Sequence, residues 1–450
     1  ALLRGGAQDS HWLHMVTGAC KVLVAAGPPP SGHRRQMAPQ ACEVLVATGE
    51  ADCGEMRFYA AVATLTHTVV GAGTLTLPYL VAQVGSVGAA VLFGAIMGLM
   101  LFAAWLLATA SDLAGGKGAR TFEGLGFRAC GPFGAVYAQA SFLLGGLGTL
   151  SAYFRFIGSL GADLLGLQAA VPVWLGFGCV LLMAFLPRLN HLRFVSIVAV
   201  AAVAYLVLLF LALAVVVPPH GEQLPPFRWT AGTFRTPALA LGAYGASNTS
   251  LFVHGEMRER SPARLARATL CAFGLATLIY APVAACALGV FGLDVPSNIL
   301  LAFDDAFLRA HPNFVGWARG AQAVILLNLV LAAPFALFPM RSAAIAVWAQ
   351  LRSGWGAQAA AAGEAPDPLV FRCTGAACLA CAALLSLSSS DVTVPLVLAN
   401  SLAGGSMGVI MPSLFYLRCG GRCRGVRLFF ALGVVFAVGS FGFELKNIVS

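Results

Sequence analysis

Eleven apolar runs alternate with short polar connections along most of the chain. They fall at about 58–82, 85–110, 134–157, 172–187, 194–217, 236–255, 265–290, 316–349, 371–388, 394–416 and 427–443. None shows the period-two alternation of a strand, and all are far longer than a barrel strand. The pattern predicts an all-α polytopic membrane protein with about eleven transmembrane helices over residues 56–445. Residues 1–55 have no helical or strand period and carry the run Pro28-Pro29-Pro30. They read as a mobile, disordered cytoplasmic N-terminal tail or an artefact of the gene model. The chain begins with Ala1, and Met37 and Met56 are candidate starts.

Composition agrees with the pattern. The chain is 59% hydrophobic and only 10% charged, where soluble domains carry roughly 25% charged residues. The formal charge of +9 is a topology signal rather than a sign of nucleic-acid binding. With the N-terminus placed in the cytosol, all but six of the 27 Lys and Arg residues fall on the inner side. The exceptions are Arg155, Arg228, Arg235, Arg309, Arg319 and Lys446. Asp163, Glu222, Asp294, Asp304, Asp305 and Asp391 fall outside.

Two runs are interrupted. The first contains Gly71-Ala72-Gly73-Thr74-Leu75-Thr76-Leu77-Pro78, and the sixth contains Gly242-Ala243-Tyr244-Gly245-Ala246-Ser247-Asn248-Thr249-Ser250. Lipid offers no partners to backbone groups, so a break must be buried in protein or line a watery cavity. A plain kink with small residues at a packing face is the alternative for the first, and side-chain bonds within and between helices for the second. Runs one to five and six to ten form two sets of opposite orientation, each opening on an interrupted helix. Paired interruptions of this kind point to alternating access, with substrate at the midplane. Half-helix N-termini suit a carboxylate, and unwound carbonyls suit an amino group or a small cation. The expected substrate-binding residues are Gly71, Ala72, Gly73, Thr74, Thr76, Tyr244, Ser247 and Asn248.

The segment Val70-Gly-Ala-Gly-Thr-Leu-Thr-Leu-Pro-Tyr79, followed by Gly85, resembles the first-helix signature of the amino acid/auxin permease family. Gly245 to Glu256 resembles that family's sixth helix with its acidic end. Asp294 with Ser297-Asn-Ile-Leu300 resembles the loop after its seventh helix, and Ala333-Pro-Phe-Ala-Leu-Phe-Pro-Met-Arg341 its eighth helix. The resemblance implies an amino acid transporter domain with a 5+5 inverted repeat (LeuT-like), one extra helix, and secondary transport of amino acids. Sodium-coupled members usually carry Asn four residues before the first motif glycine and a hydroxyl residue just before the eighth-helix proline. This chain has His67 and Ala333 there. Sodium wants oxygen ligands, whereas histidine titrates near working pH. His67 is therefore the ion-coupling candidate, for a proton gradient and no bound cofactor; the alternative is a cavity-facing histidine bonded to a neighbouring helix.

Glu256 and Arg341 are the gating candidates, with a solvated helix end as the alternative for Glu256. Arg155 reads as snorkelling or cavity-facing, and Asp112 and Asp391 as interfacial. Cys378-x-x-Cys381 lacks partners for a metal set and reads as small-residue packing, while Cys419 and Cys423 sit in a basic inner loop. No nucleotide-binding or zinc-protease motif occurs. The expected partners are a small amino acid and membrane lipid, with no nucleic acid. Alternatives to proton coupling are sodium-coupled transport of neutral amino acids and a non-transporting amino acid sensor. An enzyme would need acidic or histidine side chains clustered at one interface, and the sequence shows none.

Overall fold

The computed structural model describes residues 56–70, 73–185, 194–353, 367–388 and 391–449. The tail and the site candidates Gly71 and Ala72 lie outside the described residues. Among those described, helices account for nearly all regular structure, and Met56 and Met257 form the only β-bridge. The helices are α1 (Phe58–Val69), α2 (Gly73–Val84), α3 (Ser86–Ala114), α4 (Phe122–Leu165), α5 (Ala170–Phe185), α6 (Phe194–Val216), α7 (Thr236–Ala243) and α8 (Ser247–Glu256). There follow α9 (Pro262–Phe291), α10 (Asp305–Ala310), α11 (Val315–Ser353), α12 (Pro368–Ser388), α13 (Thr393–Ala399), α14 (Met411–Arg418) and α15 (Gly425–Val449).

Local chemistry sets several boundaries. The Thr121 hydroxyl accepts the Gly124 N–H to start α4, and left-handed Gly166 ends it. The helix is 44 residues long because it continues through a kink at Gly131 (φ 64°) before Pro132, so it outruns the expected 134–157. Ser261 caps α9 and Pro262 occupies its first position. Gly85, with φ 83°, turns the chain between α2 and α3. A Cβ there would lie 2.5 Å from the Pro225 carbonyl oxygen. That carbonyl accepts the Ser86 N–H, which docks the loop before α7 onto the turn.

By length and hydropathy, eight helical stretches among the described residues can cross a membrane, or nine when α1 and α2 count as one bent span. The expected eleven is larger for two reasons. α5 has only 16 residues, and the sixth run is divided into helices of 8 and 10 residues. One apolar core joins α1, α3, α7, α8 and α9, and a second joins α4, α6, α9, α11 and α12, so α9 serves both.

The ion pairs sort by end. Arg228–Asp294, Arg235–Asp391, Arg235–Glu444 and Arg319–Asp163 join groups at one end. Asp112–Arg260 and Glu259–Arg264 join groups at the other, where His254 also contacts Asp112. No described ion pair links the two ends.

Candidate functional site

Both interruptions are real breaks. α1 and α2 meet at 66°. Between α7 and α8 the chain leaves helical geometry over Tyr244 to Ala246, with φ/ψ of −107°/14° at Tyr244 and −109°/2° at Ala246. The second break is therefore narrower than Gly242–Ser250. Gly242 belongs to α7, and Ser247 to Ser250 form the first turn of α8. Their polarity marks the start of a half-helix, where the first N–H groups have no intrahelical acceptor.

The two breaks pack on each other. A Cβ on Gly73, the first residue of α2, would sit 3.2 Å from both Cα and Cβ of Ala243, the last residue of α7. Tyr280 of α9 joins the pair from the side. Its buried hydroxyl donates to the Val69 carbonyl at 2.7 Å and lies 3.4 Å from the Ala243 carbonyl. Those carbonyls close α1 and α7. Thr68 donates to Thr249 at 3.2 Å, tying the end of α1 to the start of α8. Four half-helix ends thus converge, two presenting carbonyls and two presenting N–H groups, with opposite dipole signs side by side.

The predicted residues divide into several groups. Thr74 is buried, and its hydroxyl has no partner among the described residues. A buried hydroxyl without a partner is costly in an apolar setting, so Thr74 is suited to receive a ligand. The Thr76 hydroxyl bonds back to the Gly73 carbonyl at 3.1 Å. Tyr244 is fully buried, edge-on to Phe273 and Tyr280, with its hydroxyl 3.0 Å from Thr277 Oγ1. It acts as a packed wall of the junction. Ser247 is buried, its Oγ 3.8 Å from Met100 Sδ. The Asn248 side chain lies outside the described residues. His67 is exposed in the last turn of α1, on the same face as Ala63 and Tyr59.

The gating candidates Glu256 and Arg341 are not brought together here, and no ion pair joins Glu256 to an arginine among the described residues. Instead the Glu256 carbonyl accepts the Met56 N–H at 3.0 Å, and the Met56 carbonyl accepts the Arg258 N–H at 3.1 Å. The start of α1 and the end of α8 are clamped by backbone. Arg341 is buried between α11 and α12, its guanidinium 3.5 Å from the Phe371 ring centroid. Asp391, read from the sequence as interfacial, takes part in a cluster at its span end. It accepts from Ser297 at 3.0 Å and pairs with Arg235, which also holds the fully buried Glu444 at 2.8 Å.

Sequence reasoning passed over Tyr280, Glu444, Asn400 and His254. Tyr280 had a faint signal, a hydroxyl two residues before Pro282 in an apolar run. Asn400 opens two consecutive π-helical turns, Asn400–Gly404 and Ser406–Ile410, that join α13 to α14. Such turns recur at functional sites. The Asn400 amide lies against Gly242, where any Cβ would collide with it.

Solved structures share this fold. The inward-facing conformation of Mhp1 superposes with a TM-score of 0.52 at 14% identity, covering 88% of this chain and 92% of that one. Mhp1, a nucleobase-cation-symport-1 family transporter, in a closed conformation with bromovinylhydantoin bound, gives 0.53 at 14% identity over 87% and 93%. The fold is that of the LeuT-like multi-pass membrane transporters. Within that class the chain belongs to the transmembrane amino acid transporter family, whose profile matches residues 55–427. This is a family of transporters, not enzymes.

Among named relatives, vacuolar amino acid transporter 6 of Saccharomyces cerevisiae is 24% identical over 303 residues, 63% of this chain and 64% of that protein. Sodium-coupled neutral amino acid transporter 7 of Xenopus laevis is 25% identical over 57% of this chain and 60% of its own length. Vacuolar amino acid transporter 5 of Schizosaccharomyces pombe is 25% identical over 63% and 68%. The matches thus span roughly three-fifths to two-thirds of these relatives.

Proposed function

We propose that the protein is a secondary active transporter that moves small amino acids across a membrane by alternating access, coupled to protons. The observation that carries this reading is the junction of four half-helix ends around Tyr280. An amino acid is a zwitterion. Its carboxylate fits the N–H groups opening α2 and α8, with the Thr74 hydroxyl beside them, and its ammonium fits the carbonyls closing α1 and α7. Family membership supports the substrate class.

Proton coupling is assigned to His67, which stands where sodium-coupled members usually place Asn. Sodium coupling is the second reading, favoured by the name of the Xenopus relative. The excess of Lys and Arg supports an orientation with the Asp112 end of the molecule, and the N-terminus with it, facing the cytosol. The host membrane is the plasma membrane or a vacuolar or other organellar one, in line with the two vacuolar relatives.

Uptake of radiolabelled amino acids into proteoliposomes tests the proposal. An inward proton gradient should accelerate uptake and an uncoupler should abolish the acceleration. Uptake that ignores pH and follows sodium would overturn the proton assignment. Binding without translocation would overturn transport in favour of a sensor. His67→Asn should change the pH profile; an unaltered profile removes His67 from the coupling step.

A further inference from the structure

His254, in the last turn of α8, is fully buried. Its Nε2 lies 3.0 Å from Asp112 Oδ1 at the end of α3. Arg260, in the connection to α9, donates to the same oxygen at 2.8 Å. The Asp112 side chain is 37% exposed, so the pair has a route to water. His254 Nδ1 is buried and has no partner among the described residues.

The charged groups facing His254 come from three elements. Asp112 belongs to α3, Arg120 to the 3₁₀ turn Lys117–Arg120, and Arg260 to the α8–α9 connection. The stem of Arg120 packs on Gly255, the next residue. The other arginines at the start of α9 are engaged elsewhere: Arg264 with Glu259, and Arg267 with the Ala263 carbonyl. α1 contributes backbone here, through the bonds of Met56 to Glu256 and Arg258.

This geometry treats the two protonation states unequally. Neutral histidine with its proton on Nε2 satisfies Asp112 and leaves Nδ1 as a bare lone pair. A second proton would make Nδ1–H a buried donor without an acceptor and add a cation beside Arg120 and Arg260. The gain from strengthening the bond to Asp112 is small, because that carboxylate is part-solvated and already shared with Arg260. The unsatisfied buried donor is the larger effect. Proton uptake therefore favours an arrangement in which α8 leaves α3 and Nδ1 meets water.

We infer that His254 is a proton-operated latch at the inner end: neutral, it holds α8 to α3, and on protonation it releases the end of α8 together with the start of α1. The inference rests on the transport reading above for its purpose, since these half-helices must move for the site to open inward. It adds a titrating group distinct from His67.

The test is hydrogen–deuterium exchange on the full chain in lipid nanodiscs at pH 7.5 and 5.5, corrected for intrinsic exchange. Protection of residues 251–258 and 57–60 should fall by several-fold, up to about tenfold, on acidification, about tenfold being the limit that one proton on a histidine of ordinary pKa in the released state can supply. His254→Gln keeps a donor near Asp112 without titrating and should show equal protection at both pH values. Asp112→Asn removes the charge and should move the transition. Protection in the wild-type chain that ignores pH overturns the latch, as does a wild-type pH response retained in either variant. Proteoliposome uptake with the same protein separates the two readings. Uptake without pH-dependent protection sinks the latch alone, and pH-dependent protection without uptake sinks the transport reading alone.

Discussion

Alanine at Gly73 would bring a methyl group within 3.2 Å of both Cα and Cβ of Ala243 and within 3.6 Å of the Tyr280 hydroxyl. None of these neighbours can swing away as a flexible side chain would. Two belong to the closing residue of α7, and the third is held by the Val69 carbonyl at 2.7 Å. Relief requires the ends of α2 and α7 to part by a few tenths of an ångström. Overpacking of this kind costs about 1–3 kcal/mol. If it falls on one of the two states of the proposed alternating-access cycle, populations shift by about 5- to 150-fold. Initial uptake rate in proteoliposomes and the thermal midpoint in detergent, measured together, give the functional and structural parts. Ala243→Gly in the same chain removes the Cβ but leaves the Cα, so it should restore part of both, with a coupling energy of about 0.5–3 kcal/mol. Wild-type rate and midpoint in Gly73→Ala, or a penalty that is the same with and without Ala243→Gly, would refute the meeting of the two breaks.

Tyr280→Phe takes the donor from the buried Val69 carbonyl, so it should cost about 1–3 kcal/mol and lower the thermal midpoint; an unchanged midpoint argues against the stitch. Arg235→Gln strands the fully buried Glu444 and should cost about 3–5 kcal/mol, most of it recovered by adding Glu444→Gln. A chemical-denaturation series that shows no recovery would mean Glu444 has another counter-charge. Burial pushes the Cys419 thiol up, with the Cys130 thiol adding to the shift, so its reactive thiolate fraction at pH 7.5 is reduced and grows as pH rises. Cys423 is exposed, and peptide-resolved maleimide labelling should find it modified faster than Cys419, about tenfold for each unit by which burial lifts the Cys419 thiol. Equal rates would show that Cys419 is open to water.

Much of the molecule was legible along the chain because membrane helices and their breaks are local events. Apolar runs placed the helices to within a few residues at α3, α9 and α11. Gly71 to Pro78 and Gly242 to Ser250 marked both breaks, since glycine, proline and consecutive polar groups disturb a helix near where they stand, although the second break spans only Tyr244 to Ala246. Loop charge separated the two ends, and the described ion pairs respect that division. Other features had no local trace. Tyr280 reaches carbonyls 211 and 37 positions away, Arg235 finds Glu444 across 209, and His254 meets Asp112 across 142. A 3.6-residue period says which side of a helix is apolar, but it cannot say which carbonyl a hydroxyl will face on another helix. That choice belongs to packing: Gly73 and Gly242 permit the close approaches, and the buried polar groups then settle on the partners those approaches bring within reach.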